Sequence, residues 1–139
     1  MTKLLSASLN IAPQFYDIDP MNVVWHGNYV RYFEEVRSLL LDKVGHNYKE
    51  MVASNYAWPI VDMRIKYVKP LCLHQKATVE ATLVEYENRL KIDYRIYDHH
   101  TKEILTKATT IQVAVEMTTQ EMQFETPQTF QDCVKGALT

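Results

Sequence analysis

The chain has 139 residues, 47% of them hydrophobic and 23% charged, which fits one globular domain with a core of its own. Its formal net charge of -2 speaks against a nucleic-acid binder, which needs a basic face to neutralise phosphates. Two cysteines, Cys72 and Cys133, show no C-x-x-C spacing and no secreted disulfide framework, and no apolar run approaches the ~18 residues of a membrane span.

In chain order, Ser6 to Tyr16 can supply a first strand. From Asn28 to Val44 the apolar residues Tyr29, Tyr32, Phe33, Val36, Leu39, Leu40 and Val44 recur at helical spacing. That predicts one long helix, with Asn28 as N-cap and Gly45 as its stop. A shorter helical turn is expected between Asn47 and Ser54. The period then changes to two. Tyr56 to Lys69 alternates in part. Ala77 to Tyr86 sets Val79, Ala81 and Leu83 against Thr78, Glu80 and Thr82, and Leu90, Ile92, Tyr94 and Ile96 alternate with polar neighbours. Leu105 to Met117 is the longest run, with Ile111, Val113 and Val115 on one side. Such alternation means strands with one covered face. Breaks at Glu87-Asn88 and Asp98–Lys102 suit hairpins. A short helix is expected over Pro127 to Gly136. The pattern predicts a strand, a long helix and four strands in hairpin succession, an α+β architecture with the helix on one sheet face.

Most standard catalytic signatures are missing. The chain has no G-x-S-x-G elbow, no P-loop and no G-x-G-x-x-G. The histidines (His26, His46, His74, His99 and His100) have no zinc-ligand spacing. Cys72 and His74 would share a face of a strand, but no orienting third group accompanies them. Glu34 and Arg37 are spaced for an i, i+3 ion pair.

The segment Y-D-I-D-P-M-N-V-V-W-H-G-N-Y differs from the rest. It joins two carboxylates, Asp17 and Asp19, to a proline turn and a helix start. Asn22 tolerates the left-handed backbone that such a turn needs. Free N–H groups at a helix start, with its partial positive charge, suit an oxyanion. A carboxylate facing them makes a minimal acyl-transfer site. Either aspartate alone would read as a turn former. Within a strand the two would share a face, and one pKa would rise.

This segment resembles the signature of the 4-hydroxybenzoyl-CoA thioesterase family, including the branch found beside bacterial Tol-Pal genes. Members read roughly D-T-D-x-x-G-V-V-Y-H-x-x-Y and then Y-F-E-x-A-R. The chain offers Asp17, Asp19, Val23, Val24, Trp25, His26, Tyr29, Tyr32, Phe33, Glu34 and Arg37 in matching places. It departs at Asn22, where relatives carry glycine, at Val36 for alanine, and in L-C-L-H-Q-K after Pro70.

The resemblance implies a hotdog fold over 1–139, an antiparallel sheet of about five strands wrapped around one long central helix. It implies an acyl-CoA thioesterase that yields a carboxylate and free CoA, with no cofactor beyond the CoA of the substrate and no metal. Asp19 would be the catalytic carboxylate, as nucleophile or general base, with the side chain of His26 assisting. The backbone N–H groups of His26 and Gly27 would polarise the thioester. Trp25, Asn28 and Tyr29 would contact substrate, and Arg89 and Lys91 would meet the CoA phosphates. Tyr29, Tyr32 or Phe33 could line an acyl pocket. The partners implied are an acyl-CoA and further copies of the chain, as a homodimer or homotetramer with the site at the interface. The alternatives are an acyl carrier protein as the thioester carrier, an acyl-thioester hydratase, or a hotdog domain that binds acyl-CoA without turnover. With no signal-peptide pattern at the N-terminus, a soluble cytoplasmic protein is expected.

Overall fold

The computed structural model describes residues 5–138. In chain order these form β1 (Ser6–Ile11), a 3-10 turn (Phe15–Asp17), α1 (Asn28–Val44), α2 (Tyr48–Ala53), β2 (Tyr56–Ala57), β3 (Ile60–Tyr67), β4 (Ala77–Glu85), β5 (Leu90–Asp98), β6 (Ile104–Gln112), β7 (Val115–Glu116), β8 (Glu121–Met122) and α3 (Gln128–Leu138).

Helix α1 spans the residues its periodicity predicts. Tyr29, Tyr32, Phe33, Val36, Leu40 and Val44 are buried. Leu39 is not: it lies at the edge of the stripe and is 40% exposed. Leu41, on the opposite edge, is buried on the side where α2 returns. Gly45 ends the helix at φ +82°, and its N–H donates to the carbonyls of Leu41 and Asp42 at 3.0 and 3.1 Å. The N-cap is Gly27 rather than Asn28, with no side-chain cap. Asn28 is already helical, and its side chain turns back to the preceding loop. Asn47 caps α2 by accepting the N–H of Tyr48. It also ties α2 to α1 by donating to Ser38 and Asp42.

The main sheet is antiparallel, in the order β1-β4-β5-β6-β3. β4–β5 and β5–β6 are hairpins at the expected breaks. β3 does not hairpin to β4: it pairs with β6 at the far edge. Alternation shows that a strand exists but not which neighbour it takes. The path after β3 decides. The N–H groups of Val68 and Lys69 both donate to the carbonyl of Leu105 at 3.0 Å, and Pro70 follows. The chain is thereby turned off the β6 edge before β4 begins.

One row across the sheet shows why α1 fits. Ala7, Ala81, Tyr94, Ala108 and Ile65 stand opposite one another on β1, β4, β5, β6 and β3. Alanines on both sides of Tyr94 leave room for its ring. Phe33 of α1 packs on that ring at 4.8 Å between centroids. The Tyr94 hydroxyl bonds Thr110 at 2.8 Å, which satisfies both buried hydroxyls.

The long run from Leu105 to Met117 is not one strand. It breaks after Gln112, and β7 joins β2 and β8 in a small second sheet. Its apolar side was expected to be Ile111, Val113 and Val115, but these are only half-buried. The covered side carries Thr106, Ala108, Thr110, Gln112 and Ala114. Small or hydrogen-bonded residues fit there because Tyr94 and the helix already fill the space; Gln112 donates to the Trp58 carbonyl at 2.8 Å.

Helix α3, close to the expected 127–136, closes one end of the core. Its fully buried Phe130 packs on Trp58 at 4.8 Å and on His46 at 5.6 Å. Among the described residues, no helix is long and apolar enough to cross a membrane.

His46 is 3% exposed, and its Nε2 has no hydrogen-bond partner among the described residues. Burial pushes its pKa below the usual 6.5, against an opposing pull from Glu50. The unfolded chain therefore binds a proton that the folded one refuses. The stability His46 allows is whole above about pH 6.5 and is lost as pH falls below it. Thermal melts between pH 7.5 and 5 should show a steeper loss of Tm for wild type than for His46→Leu. Parallel curves would count against this account.

Candidate functional site

Asp17 organises the segment before α1. Its carboxylate accepts the Gln14 N–H at 2.8 Å and the guanidinium of Arg31 from the first turns of α1. Its carbonyl accepts the Trp25 N–H at 3.0 Å and the side-chain amide of Asn28 at 2.8 Å. Asp17 is 4% exposed. Burial alone would raise its pKa, but the Gln14 N–H and the Arg31 guanidinium outweigh it and hold the carboxyl below the usual range. The rise expected from two aspartates sharing a strand face does not occur here, because Asp17 lies in a 3-10 turn against a cation. Arg31 also lies over the Tyr32 ring at 5.1 Å. Burial, with the Asp17 charge, pushes the Tyr32 phenol up to about 12.

Beyond Asp17 the chain makes a tight hairpin. Ile18 pairs with Val24, and the Asp19 N–H donates to the Val23 carbonyl at 2.9 Å. The turn closes through the Asn22 N–H to the Asp19 carbonyl at 2.9 Å. Asn22 adopts φ +70°, the left-handed backbone expected where relatives carry glycine. Asp19 is half-buried. Its Oδ1 accepts the Met21 N–H at 2.8 Å, and its Oδ2 has no protein partner among the described residues. The hairpin is braced from behind: Val23 bridges to Cys72, and the Val24 N–H donates to the Leu71 carbonyl at 2.8 Å.

The helix start follows directly. The N–H groups of Asn28 and Tyr29 donate back to the carbonyls of Trp25 and His26 at 2.9 and 3.4 Å. Those of His26 and Gly27 find no acceptor among the described residues. They are the open donors at the positive end of α1. The Trp25 ring lies across Gly27, where a Cβ would come within 2.2 Å of it. Trp25 is half exposed and meets the exposed His26 ring at 5.1 Å.

The chain thus gathers Asp19, Trp25, His26 and Gly27 at one place. Asn28 and Tyr29, expected at the substrate, are engaged internally: Asn28 with Asp17, and the buried Tyr29 hydroxyl with the Leu71 N–H at 3.3 Å. Arg89 and Lys91 stand apart. They follow the far end of β4, a nine-residue strand roughly 30 Å long, whose near end comes five residues after Cys72, which bridges to Val23 of the Asp19 hairpin. Arg89 is paired there with Glu85 at 3.0 Å. Cys72 and His74 do not share a strand face, because Cys72 to Gln75 is a turn with His74 at φ +61°. Glu34 and Arg37 form no ion pair among the described residues. They line a cavity of about 580 Å³ between α1, α2 and β2, with Ser38, Leu41, Met51 and Trp58. Tyr29, Tyr32 and Phe33 are not in its lining. Among the described residues no three His, Cys, Asp or Glu side chains gather to hold a metal ion.

Two participants escaped sequence reasoning. Arg31 reads as a surface charge on the polar side of α1, and no motif links it to Asp17. Tyr67 reads as one more residue of an alternating strand. Its hydroxyl donates to the His26 carbonyl at 3.3 Å, and its ring meets Tyr29 edge-on at 4.9 Å.

Removing Arg31 would leave a charge without its partner in a site that is nearly closed to water. Arg31→Met is expected to destabilise the fold by about 1–3 kcal/mol at pH 7 in urea titrations, less than a fully buried pair because Arg31 is itself partly exposed. The difference should shrink as acid protonates Asp17. A cost near zero at pH 7 would contradict the role of this pair.

A family model described as the thioesterase-like superfamily matches residues 13–137. The Bacillus subtilis (strain 168) protein named "Putative acyl-CoA thioesterase YneP" is 30% identical over 107 residues, which is 76% of this chain and 77% of that protein. Among solved structures, a 1,4-dihydroxy-2-naphthoyl-CoA thioesterase from Synechocystis aligns with a TM-score of 0.82 at 18% identity, over 94% of this chain and 96% of its own. A DHNA-CoA thioesterase from Staphylococcus aureus aligns at 0.81 with 24% identity, over 95% and 87%. At these identities the structural matches establish the shared fold.

Proposed function

The chain belongs to the thioesterase-like superfamily, and from that premise we propose that it hydrolyses the thioester of an acyl-CoA to a carboxylate and free CoA. One observation carries the reading. Among the described residues, the N–H groups of His26 and Gly27, at the positive end of α1, have no acceptor, and they follow a hairpin in which Asp19 keeps one carboxylate oxygen without a partner. Two open amides at a helix start suit the oxygen of a thioester carbonyl as it gains negative charge. Asp19 Oδ2 then either adds to the carbonyl carbon or takes a proton from the water that does. The carbon–sulfur bond breaks and CoA leaves as a thiolate. In the first route this leaves an acyl–Asp19 anhydride that water hydrolyses to the carboxylate and free Asp19, and in the second the proton held by Asp19 passes to the thiolate. This chemistry calls for no metal or redox cofactor. His26, exposed beside Trp25, would hold water or substrate there.

Assembly is part of the same proposal. β3 is an edge strand with Ile60, Val61 and Tyr67 exposed, and an uncovered edge of this kind invites pairing with a second copy. The cations Arg89 and Lys91, remote from Asp19 within one chain, would reach a CoA phosphate only from such a partner.

The Oδ1–Met21 bond favours a second reading, in which Asp19 shapes the turn and the protein binds acyl-CoA without turnover. Asp19→Asn separates the two, because an amide oxygen can still accept the Met21 N–H while the charge is lost. In a thiol-release assay over a panel of acyl-CoAs, wild type should turn over and Asp19→Asn should fall about a hundredfold or more. Equal rates would remove Asp19 from the chemistry, and binding with no turnover across the panel would support the second reading.

A further inference from the structure

We propose that Tyr67 is a positioning residue that orients and polarises the His26–Gly27 peptide, so that the Gly27 N–H is held ready for an oxyanion. The inference rests on the thioesterase reading given above for its catalytic consequence, but its structural part stands alone.

A peptide unit shares its electrons between carbonyl and N–H and is planar. The His26 carbonyl and the Gly27 N–H therefore belong to one rigid plate, with the two groups pointing in opposite directions. Donors on the carbonyl fix the plate and strengthen the N–H as a donor, since chained hydrogen bonds polarise one another. Among the described residues the His26 carbonyl has two donors, the Tyr67 hydroxyl at 3.3 Å and the Tyr29 N–H at 3.4 Å. Both are long, so neither alone defines the plate well. Gly27 has no side chain to restrain its own backbone, and the partly exposed Trp25 ring covers the space where a Cβ would lie. The restraint has to come from the carbonyl side.

Tyr67 is suited to supply it. It is the last residue of β3, held opposite Thr106 of β6. The next two residues are fixed by their paired bonds to Leu105. Its ring is set at 85° against Tyr29, whose own hydroxyl accepts the Leu71 N–H. Leu71 in turn accepts from Val24. The path from the sheet edge to the peptide thus runs through groups with little freedom. Burial also pushes the Tyr67 phenol above its usual value, so it remains a proton donor across neutral pH.

The test is Tyr67→Phe, which keeps the ring contact with Tyr29 and removes only the hydroxyl. Two readings are taken on the full chain: kcat and KM by thiol release, and the Gly27 amide in a ¹H–¹⁵N spectrum of the free protein. The expected result is a fall in kcat of about tenfold, smaller than the 10²–10³ for loss of a direct donor, with KM within about twofold. The Gly27 ¹⁵N resonance should shift while those of the β4–β5 core stay in place. An unmoved Gly27 resonance, or an unchanged kcat in an active enzyme, overturns the proposal. If wild type turns over no acyl-CoA, the thioesterase reading falls by itself, and the Gly27 resonance still decides whether Tyr67 sets the peptide.

Discussion

A single residue, Asp17, ties together the pieces on which the site depends. Its carboxylate links the turn at Gln14 to Arg31 of α1, and its carbonyl holds Trp25 and Asn28. Those four contacts set the hairpin, the helix start and the approach of β1 in fixed relation. The Asp19 turn hangs from that clamp on one side, and the open amides of His26 and Gly27 follow on the other. The charge is buried beside a cation and a backbone N–H, so its burial is compensated rather than left as an unpaired ion. The residue proposed for the chemistry, Asp19, is therefore not the one that holds the structure. On that proposal the two aspartates, two positions apart, divide these tasks between them.

The sheet supplies the second constraint. Ala7, Ala81 and Ala108 share a row with Tyr94, so α1 can come close enough for Phe33 to reach the tyrosine ring. Close packing of this kind tolerates little change in volume. It fixes the axis of α1, and hence where its positive end points. Departure of the chain from the β3 edge at Val68 and Lys69 then brings Leu71 and Cys72 behind the hairpin. Core packing and site geometry are in this sense one problem: the same crossing that moves β3 to the far edge also braces Val23 and Val24.

Much of this was legible in the residues. The 3.6-residue period predicted α1 to its ends, Gly45 announced the stop, and Asn22 announced a left-handed turn. Period-two alternation found β4 and β5 because each has one clearly apolar face. It misread β6, where threonines, alanine and glutamine face the core beneath a tyrosine and the more apolar side is only half covered. It could not say that β3 pairs with β6, since strand partners depend on the path of the connecting chain. The motif carried Asp19, His26 and Gly27 together because they are close in sequence. Arg31 on Asp17 and Tyr67 on His26 were illegible because those contacts join residues far apart in the chain whose types are ordinary for their elements. Arg89 and Lys91 show the converse: the resemblance implies a place for them at the CoA phosphates, and within one chain they lie past the far end of β4, with Arg89 paired to Glu85.

The central claim is that the thioester carbonyl is received by the two open amides beside Asp19. It is tested most directly by a crystal structure of the protein with a non-hydrolysable acyl-CoA ketone in which CH₂ replaces the thioester sulfur. The account predicts the ketone oxygen at about 2.7–3.1 Å from the nitrogens of His26 and Gly27, with Asp19 Oδ2 on the open side of the carbonyl carbon. A ligand whose carbonyl lies elsewhere, with both amides still facing solvent, would contradict it.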